Sequence, residues 1–132
     1  SKFKLIPNEK IIIPMFSCYI VGKSPLSYNY FPRDVIVTNK RILIGFYTWP
    51  FLESFGNVNL WYESVKSPKS KKINKKVIRW MGGDSHIKKI YLNNDKKMGS
   101  NIKIELDYAK GIFSLTVYTK NAKKIYEIIS KK

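Results

Sequence analysis

Alternating apolar and polar positions run through much of the chain and predict a protein built mainly of β-strands. The cleanest alternation covers residues 102–107 and 113–118, on either side of a short turn at residues 109–111. A period of two turns one face of a strand toward a core and the other toward solvent. The two segments are therefore predicted to form a half-buried antiparallel pair.

After Thr119 the apolar period lengthens from two to about 3.6, which is the period of an α-helix. The side-chain oxygen of Thr119 or Asn121 can cap the start of this helix. The pattern predicts one C-terminal amphipathic helix over about residues 120–131, with an apolar face formed by Ala122, Ile125, Ile128 and Ile129. This helix position does not match an RNA-recognition fold, which needs a helix between its first two strands.

Residues 34–48 have the strongest hairpin pattern of the chain. β-Branched apolar residues alternate on both sides of a polar break at Thr38–Arg41. Within this break, Asn39 tolerates the left-handed backbone that a tight turn needs. A β-hairpin with its turn at this break is therefore predicted.

Three less regular segments complete the predicted strands, namely residues 10–21, 58–62 and 86–92. Proline cannot donate to a central strand ladder, so Pro14 places the first segment at a sheet edge or a bulge. Ile87 and Ile90 break the alternation of the last segment, which predicts a second bulge.

The length of the chain and one lysine-rich segment indicate the domain organisation. At 132 residues and 15.5 kDa, the chain is predicted to form a single domain over residues 1–132. Residues 66–76 contain many lysines and no acid, so a basic insertion loop is predicted over about residues 64–85. No apolar run approaches the length of about 20 residues that a membrane span needs.

The balance of basic and acidic residues indicates the charge of the binding partner. The chain has 25 basic and 9 acidic residues, for a net charge of +16. Such a field favours an anionic phospholipid membrane or an acidic protein, and nucleic acid is a less favoured third partner. One cysteine, Cys18, excludes an internal disulfide and fits a reducing compartment. A cytoplasmic protein is expected, with a peripheral position on the cytosolic membrane face as an option.

Two short motifs carry a family resemblance, namely Thr38-Asn39-Lys40-Arg41-Ile42 and Pro7-Asn8-Glu9-Lys10-Ile11. They resemble the T-N-x-R-hydrophobic hairpin and the preceding P-x-E-x-hydrophobic segment of GRAM and pleckstrin-homology-like domains of the bacterial or archaeal type. The resemblance implies a bent barrel of two antiparallel sheets, capped at one end by the C-terminal helix. It also implies a structural role for Arg41, paired with a carboxylate such as Asp34 or Glu9.

The sequence contains no catalytic pattern. A structural zinc site needs four nitrogen or sulfur ligands, whereas the chain has a single His86 and a single Cys18. Cys18 is expected to be a small buried residue. Gly82-Gly83 lacks the strand, lysine and helix of a phosphate loop. We therefore expect a protein that is not an enzyme and that has no catalytic, cofactor-binding or metal-binding residues.

Basic residues of the insertion and of the first predicted loop are the candidate contacts to an anionic surface. They are Lys23, Arg33, Lys66, Lys69, Lys71, Lys72, Lys75, Lys76 and Arg79. Lysines near an anionic leaflet each contribute up to about 1 kcal/mol. The alternative is that the lysine run is an ordinary solvated loop.

Aromatic residues cluster in two segments that are predicted as loops, residues 22–32 and 49–57. The candidate apolar contacts are Tyr28, Tyr30, Phe31, Trp49 and Phe51. In the resembled fold these two loops lie side by side at one open end of the barrel. Rings surrounded by cations suit a membrane interface. The alternative is that the rings pack on one another and close the barrel.

The expected function is that of a non-enzymatic binding or adaptor domain at an anionic surface, in the first place membrane phospholipid headgroups. Basic loops would provide attraction and aromatic loop tips would insert. A protein–protein interaction scaffold is the first alternative, because the resembled fold also serves that role. Non-specific nucleic-acid binding through the basic surface is the second.

Overall fold

The structure, a computed structural model, is mainly β with one C-terminal helix, as predicted. It describes residues 4–23, 28–48, 52–54, 58–62, 83–108 and 111–131. Its elements are β1 (Ile11–Lys23), β2 (Tyr28–Thr38), β3 (Arg41–Thr48), β4 (Leu52–Ser54), β5 (Val58–Trp61), β6 (Gly83–Asp95), β7 (Gly99–Tyr108), β8 (Gly111–Tyr118) and α1 (Ala122–Ser130).

The strands form one closed barrel, so the expectation of two separate antiparallel sheets is wrong. Seven strands make the ring in the order β2-β1-β8-β7-β6-β5-β3, and pairing between β3 and β2 closes it. The short β4 pairs with the C-terminal end of β3, residues 46–48, and lies outside the ring. Closure satisfies strand edges that an open sheet would leave exposed.

An odd number of strands explains why the barrel cannot be wholly antiparallel. Antiparallel neighbours reverse direction at every step, so a ring of seven must contain a parallel pair. That pair is β5 with β6, in register from Val58 opposite Gly83 to Trp61 opposite His86. Parallel neighbours need a connection of about a dozen residues or more, and the predicted basic insertion lies in this connection. The insertion ends slightly before the predicted boundary at residue 85, because β6 begins at Gly83.

The core fills the barrel and is closed at one end by α1. Ile20, Ile44 and Leu115 are fully buried inside the ring. The helix adds buried side chains from Ala122, Ile125 and Ile129 and packs against β6 and β7. The predicted amphipathic face is confirmed, with Ile128 half-buried at its margin.

The start of α1 follows the prediction only in part. Asn121 is the N-cap residue, but its side chain makes no capping hydrogen bond. The hydroxyl of Thr119 instead accepts a hydrogen bond from the backbone N–H of Asn121 at 3.1 Å.

Both predicted bulges are confirmed. The register of β1 against β2 shifts between Ile11 and Phe16, around Pro14. The register of β6 against β7 shifts between Ile87 and Lys89. In the described pairings, β8 meets only the second half of β1, from Tyr19 onward, so Pro14 lies on a free edge where its missing N–H costs no ladder bond.

The prediction of loops over residues 22–32 and 49–57 is wrong in part, because two stretches of these segments form strands. Residues 28–32 belong to β2, which pairs with β1 from Lys23 opposite Tyr28 onward, and residues 52–54 form β4. The Pro and Ser content suggested a loop, but the aromatic residues have high strand propensity. Pro32 is tolerated because β3 pairs with β2 only from Asp34 onward.

Candidate anionic-surface site

Arg41 lies at the centre of a buried polar cluster that joins three parts of the barrel. Its Nε donates to Glu9 Oε2 at 2.8 Å and its Nη2 donates to Glu9 Oε1 at 2.9 Å, in a bidentate ion pair. Its Nη1 donates to Asn59 Oδ1 at 2.9 Å, and the guanidinium lies 4.7 Å from the centre of the Trp61 ring. The predicted structural role is confirmed, and of the two suggested carboxylates the partner is Glu9.

Thr38 explains the first position of the hairpin motif. Its hydroxyl oxygen accepts hydrogen bonds from the backbone N–H groups of Lys40 and Arg41, both at 3.0 Å. The same hydroxyl lies 2.7 Å from Glu9 Oε2 and donates to it. The Tyr62 hydroxyl donates to the backbone carbonyl of Thr38. Thr38 therefore closes the turn and fixes the carboxylate that Arg41 uses.

Asn39 connects the hairpin turn to the segment before β1. Its Oδ1 accepts from the Lys10 N–H at 2.7 Å, and its Nδ2 donates to the Asn8 carbonyl at 3.0 Å. Asn8 has a left-handed backbone, with φ of 65°, which asparagine tolerates better than most residues. The two motifs of the resemblance thus form a single interlocked unit.

The pH dependence of stability should reflect Glu9. Burial alone raises the pKa of this carboxyl, but hydrogen bonds from Arg41, Thr38 and the Ile6 N–H outweigh burial and hold the pKa below its ordinary value. The stabilisation is therefore complete above the unfolded pKa of about 4.3 and is lost as pH falls through the lower folded pKa. Urea midpoints measured from neutral to acidic pH should decline below about pH 4.5.

Glu9→Gln is the control for this pH effect. The variant should be less stable at neutral pH, and its stability should fall less steeply in acid because it lacks the titrating group. Equal declines in the variant and the parent would contradict the role of Glu9.

The environment of Cys18 does not favour a reactive thiolate. Cys18 is buried, as expected, and burial followed by the nearby Asp34 charge raises the pKa of its thiol to about 12. Such a thiol is almost wholly protonated at neutral pH and is a poor nucleophile. Among the described residues, no three His, Cys, Asp or Glu side chains gather at metal-binding distance.

Exposed charge in the described part of the chain is overwhelmingly positive. Its exposed or half-exposed lysines are Lys4, Lys10, Lys40, Lys88, Lys89, Lys96, Lys97, Lys103, Lys120, Lys123, Lys124 and Lys131. Among the acidic side chains that the structure describes, Asp95, Glu105 and Glu127 are exposed or half-exposed, whereas Glu9 and Asp34 are buried. The buried Glu9 carboxylate is paired with Arg41 and with none of these lysines.

One tyrosine on the outer wall of the barrel lies between two of these lysines. Nζ of Lys89 is 5.2 Å and Nζ of Lys103 is 5.9 Å from the centre of the Tyr91 ring. Lys103 lies directly opposite Tyr91 on the neighbouring strand β7. Both distances suit cation–π attraction. The sequence analysis did not identify this group, because Lys103 joins Lys89 and Tyr91 only through the β6–β7 register.

The turn between β6 and β7, residues 95–99, forms an exposed tip that is held by internal hydrogen bonds. Asp95 Oδ1 accepts hydrogen bonds from the N–H groups of Lys97 at 2.7 Å and Met98 at 3.0 Å, which lower the pKa of Asp95. Gly99 follows with φ of 84°, a conformation that suits glycine. We call these five residues the β6–β7 tip.

The predicted site residues lie partly on strands and partly outside the described residues. Lys23 lies on β1, and Tyr28, Tyr30, Phe31 and Arg33 lie on β2 rather than on loop tips. The others lie outside the described residues: Trp49, Phe51, Lys66, Lys69, Lys71, Lys72, Lys75, Lys76 and Arg79. The expected proximity of the two aromatic segments therefore stays a prediction.

Comparison with known proteins gives no information about this site. No family model, curated protein or solved structure matches this chain. The resemblance to GRAM and pleckstrin-homology-like domains stays a prediction. Within the described residues, no helix has the length and apolar character needed to cross a membrane.

Proposed function

We propose that this domain is a non-enzymatic adaptor that binds an anionic surface, in the first place the phospholipid headgroups of a membrane leaflet facing the cytoplasm. The observation that carries the proposal is the imbalance of exposed charge. Among the side chains that the structure describes, exposed lysines far outnumber exposed carboxylates, and the carboxylates of Glu9 and Asp34 are buried. A surface of this kind attracts polyanions over distances of about a Debye length.

Charge alone would give only weak attachment to a bilayer. Five lysines at up to about 1 kcal/mol each supply roughly 5 kcal/mol before ordering costs are subtracted. Stable attachment therefore needs a second contribution from apolar insertion. The basic insertion and the aromatic residues at positions 49 and 51 are candidates for further contacts.

Vesicle co-sedimentation tests this function directly. We expect at least tenfold stronger partitioning to vesicles of phosphatidylcholine and phosphatidylserine than to phosphatidylcholine alone, because lysines respond to surface potential. Partitioning should weaken as salt rises, since screening shortens the Debye length. Equal partitioning to both vesicle types at low salt would contradict the proposal. Trp49→Ala and Phe51→Ala test the aromatic contribution in the same assay.

Binding of single-stranded nucleic acid is a second candidate, which the Tyr91 group favours. A ring with lysine ammonium groups 5.2 and 5.9 Å from its centre offers stacking and phosphate contacts on one sheet face. A fluorescent oligonucleotide titrated over a salt series would then give a steep log–log slope. Binding to neither vesicles nor oligonucleotides would favour a protein-interaction scaffold instead.

A further inference from the structure

The strand register defines one end of the barrel, which we call the helix end. The start of β1 lies there beside the β2–β3 turn, because Ile11 pairs with Thr38. The end of β8 and the start of β7 point toward the same end, because β8 runs antiparallel to both β1 and β7. The chain then enters α1, and the β6–β7 tip extends beyond these pairs.

Most of the exposed large apolar side chains lie toward this end. Those on β1 and just before it are Leu5, Ile11, Ile12 and Met15. Those at or near the β6–β7 tip are Leu92 and Met98. Met15 and Met98 are 56% and 41% exposed. Apolar side chains exposed toward the same end of a domain make that end a candidate contact surface.

Lysines surround the β6–β7 tip at the same end. Lys96 and Lys97 lie in the tip itself, and the Thr119 N–H donates to the Ser100 carbonyl at 3.1 Å, which brings the start of α1 to the tip. At about 3.3 Å per residue, Thr119 lies within about 10 Å of the tip. The exposed lysines of this start are Lys120, Lys123 and Lys124. These lysines therefore face the same end of the barrel as the tip, and their attraction for an anionic surface extends over a Debye length of about 8–10 Å.

The β6–β7 tip is also preorganised and carries little opposing charge. The carboxylate of Asp95 is held by two backbone N–H groups of the tip, and Gly99 supplies the left-handed conformation that ends the turn. A turn fixed in this way loses little conformational freedom when it binds.

We infer that the domain docks on an anionic leaflet by its helix end, with Lys96, Lys97 and Met98 entering the headgroup region. This inference rests on the proposed function and names the surface that performs it. Met98 supplies apolar insertion, and the five neighbouring lysines meet lipid phosphates. The docking end is then opposite to the end at which the sequence analysis placed the aromatic residues.

A matched pair of double variants tests the docking end. Lys96→Gln/Lys97→Gln removes two charges at the tip, and Lys88→Gln/Lys89→Gln removes two exposed charges from the same strand, on the side wall. Each lysine at an anionic leaflet contributes up to about fivefold in affinity, so the tip variant should bind phosphatidylserine vesicles about 10- to 30-fold more weakly. The side-wall variant should lose less than about threefold, because its lysines stay away from the leaflet.

The results separate the inference from the proposed function. If both variants weaken equally while the parent protein binds, the helix end is not the docking surface and the proposed function stands. If the parent protein does not prefer anionic vesicles, the proposed function and the inference both fail. Unchanged thermal unfolding of both variants would show that folding is not the cause.

A fluorescent label at Met98 tests insertion. Because the Cys18 thiol is buried and has a pKa raised to about 12, a Met98→Cys variant should accept an environment-sensitive maleimide dye at one position. We expect a blue shift and a gain in emission with phosphatidylserine vesicles, and no such change for the control Lys88→Cys. No change at position 98, or the same change with soluble polyglutamate, would overturn the inference, the latter in favour of an acidic protein partner.

Discussion

Arg41→Ala is expected to lower the free energy of unfolding by about 3–5 kcal/mol, because it leaves the buried Glu9 carboxylate without its partner. The Glu9 side chain is fully buried in the ion pair, so water cannot replace the guanidinium. The variant also loses the hydrogen bond to Asn59 and the contact with the Trp61 ring. Total stabilities of domains are about 5–15 kcal/mol, so this loss should be obvious in urea denaturation.

Two further variants make the Arg41 result specific. Arg41→Lys keeps the charge but not the bidentate geometry or the stacking, so an intermediate loss is expected. Lys40→Ala is the matched neighbour, because its described contacts use only the backbone, and it should change stability by less than about 0.5 kcal/mol. A loss below about 1 kcal/mol for Arg41→Ala would show that the buried pair does not hold the hairpin.

Ile125→Ala should cost about 2–5 kcal/mol, because it removes buried methyl groups from the face of α1 that closes the barrel. Ile125 is 2% exposed and belongs to the main core cluster with Ala122 and Ile129. A cavity at this position would loosen the contact between the helix and the ends of β6 and β7. Chemical denaturation measures the loss, and increased binding of a hydrophobic dye would report the opened end.

Lys124→Ala is the control for Ile125→Ala. Lys124 is the exposed neighbour of Ile125 on the same helix, and alanine preserves helix propensity. Its effect should stay within about 0.5 kcal/mol. Similar losses in the two variants would contradict a helix that closes the barrel through one apolar face.

Local patterns in the sequence predicted those parts of the fold that depend on neighbouring residues. The hairpin at Thr38–Arg41 follows from β-branched alternation around a polar break, and α1 follows from the change of period after Thr119. Pro14 predicted an edge or a bulge correctly, because a missing N–H restricts any strand in the same way. The Glu9–Arg41 pair came from the resemblance of two motifs rather than from periodicity.

Long-range pairing was beyond these patterns. Whether β5 meets β6 depends on how a ring of seven strands closes, and no local residue pattern encodes that choice. The same limit explains residues 28–32, where local Pro and Ser content suggested a loop and pairing with β1 produced a strand. Strand propensity depends on the neighbouring strands, so it is a weak guide when they are unknown.

Of the candidate site, only the positive charge could be predicted from the sequence. Net charge indicated an anionic partner, but the β6–β7 tip and the start of α1 are about 20 residues apart in the chain and become neighbours only through the hydrogen bond from Thr119 to Ser100. Met98 had no special pattern in the sequence. Its exposure and its lysine neighbours follow from the way in which β6 and β7 extend past the end of the ring.

The Glu9–Arg41 pair has a consequence for any shortened form of this protein. A chain trimmed by proteolysis to begin at Ile11 would keep every strand of the barrel and the closing helix. It would nevertheless retain Arg41, which is buried in the intact domain, while the carboxylate of its partner Glu9 is cut away. The segment that immediately precedes the first strand, residues 4–10, is thus part of the folding unit.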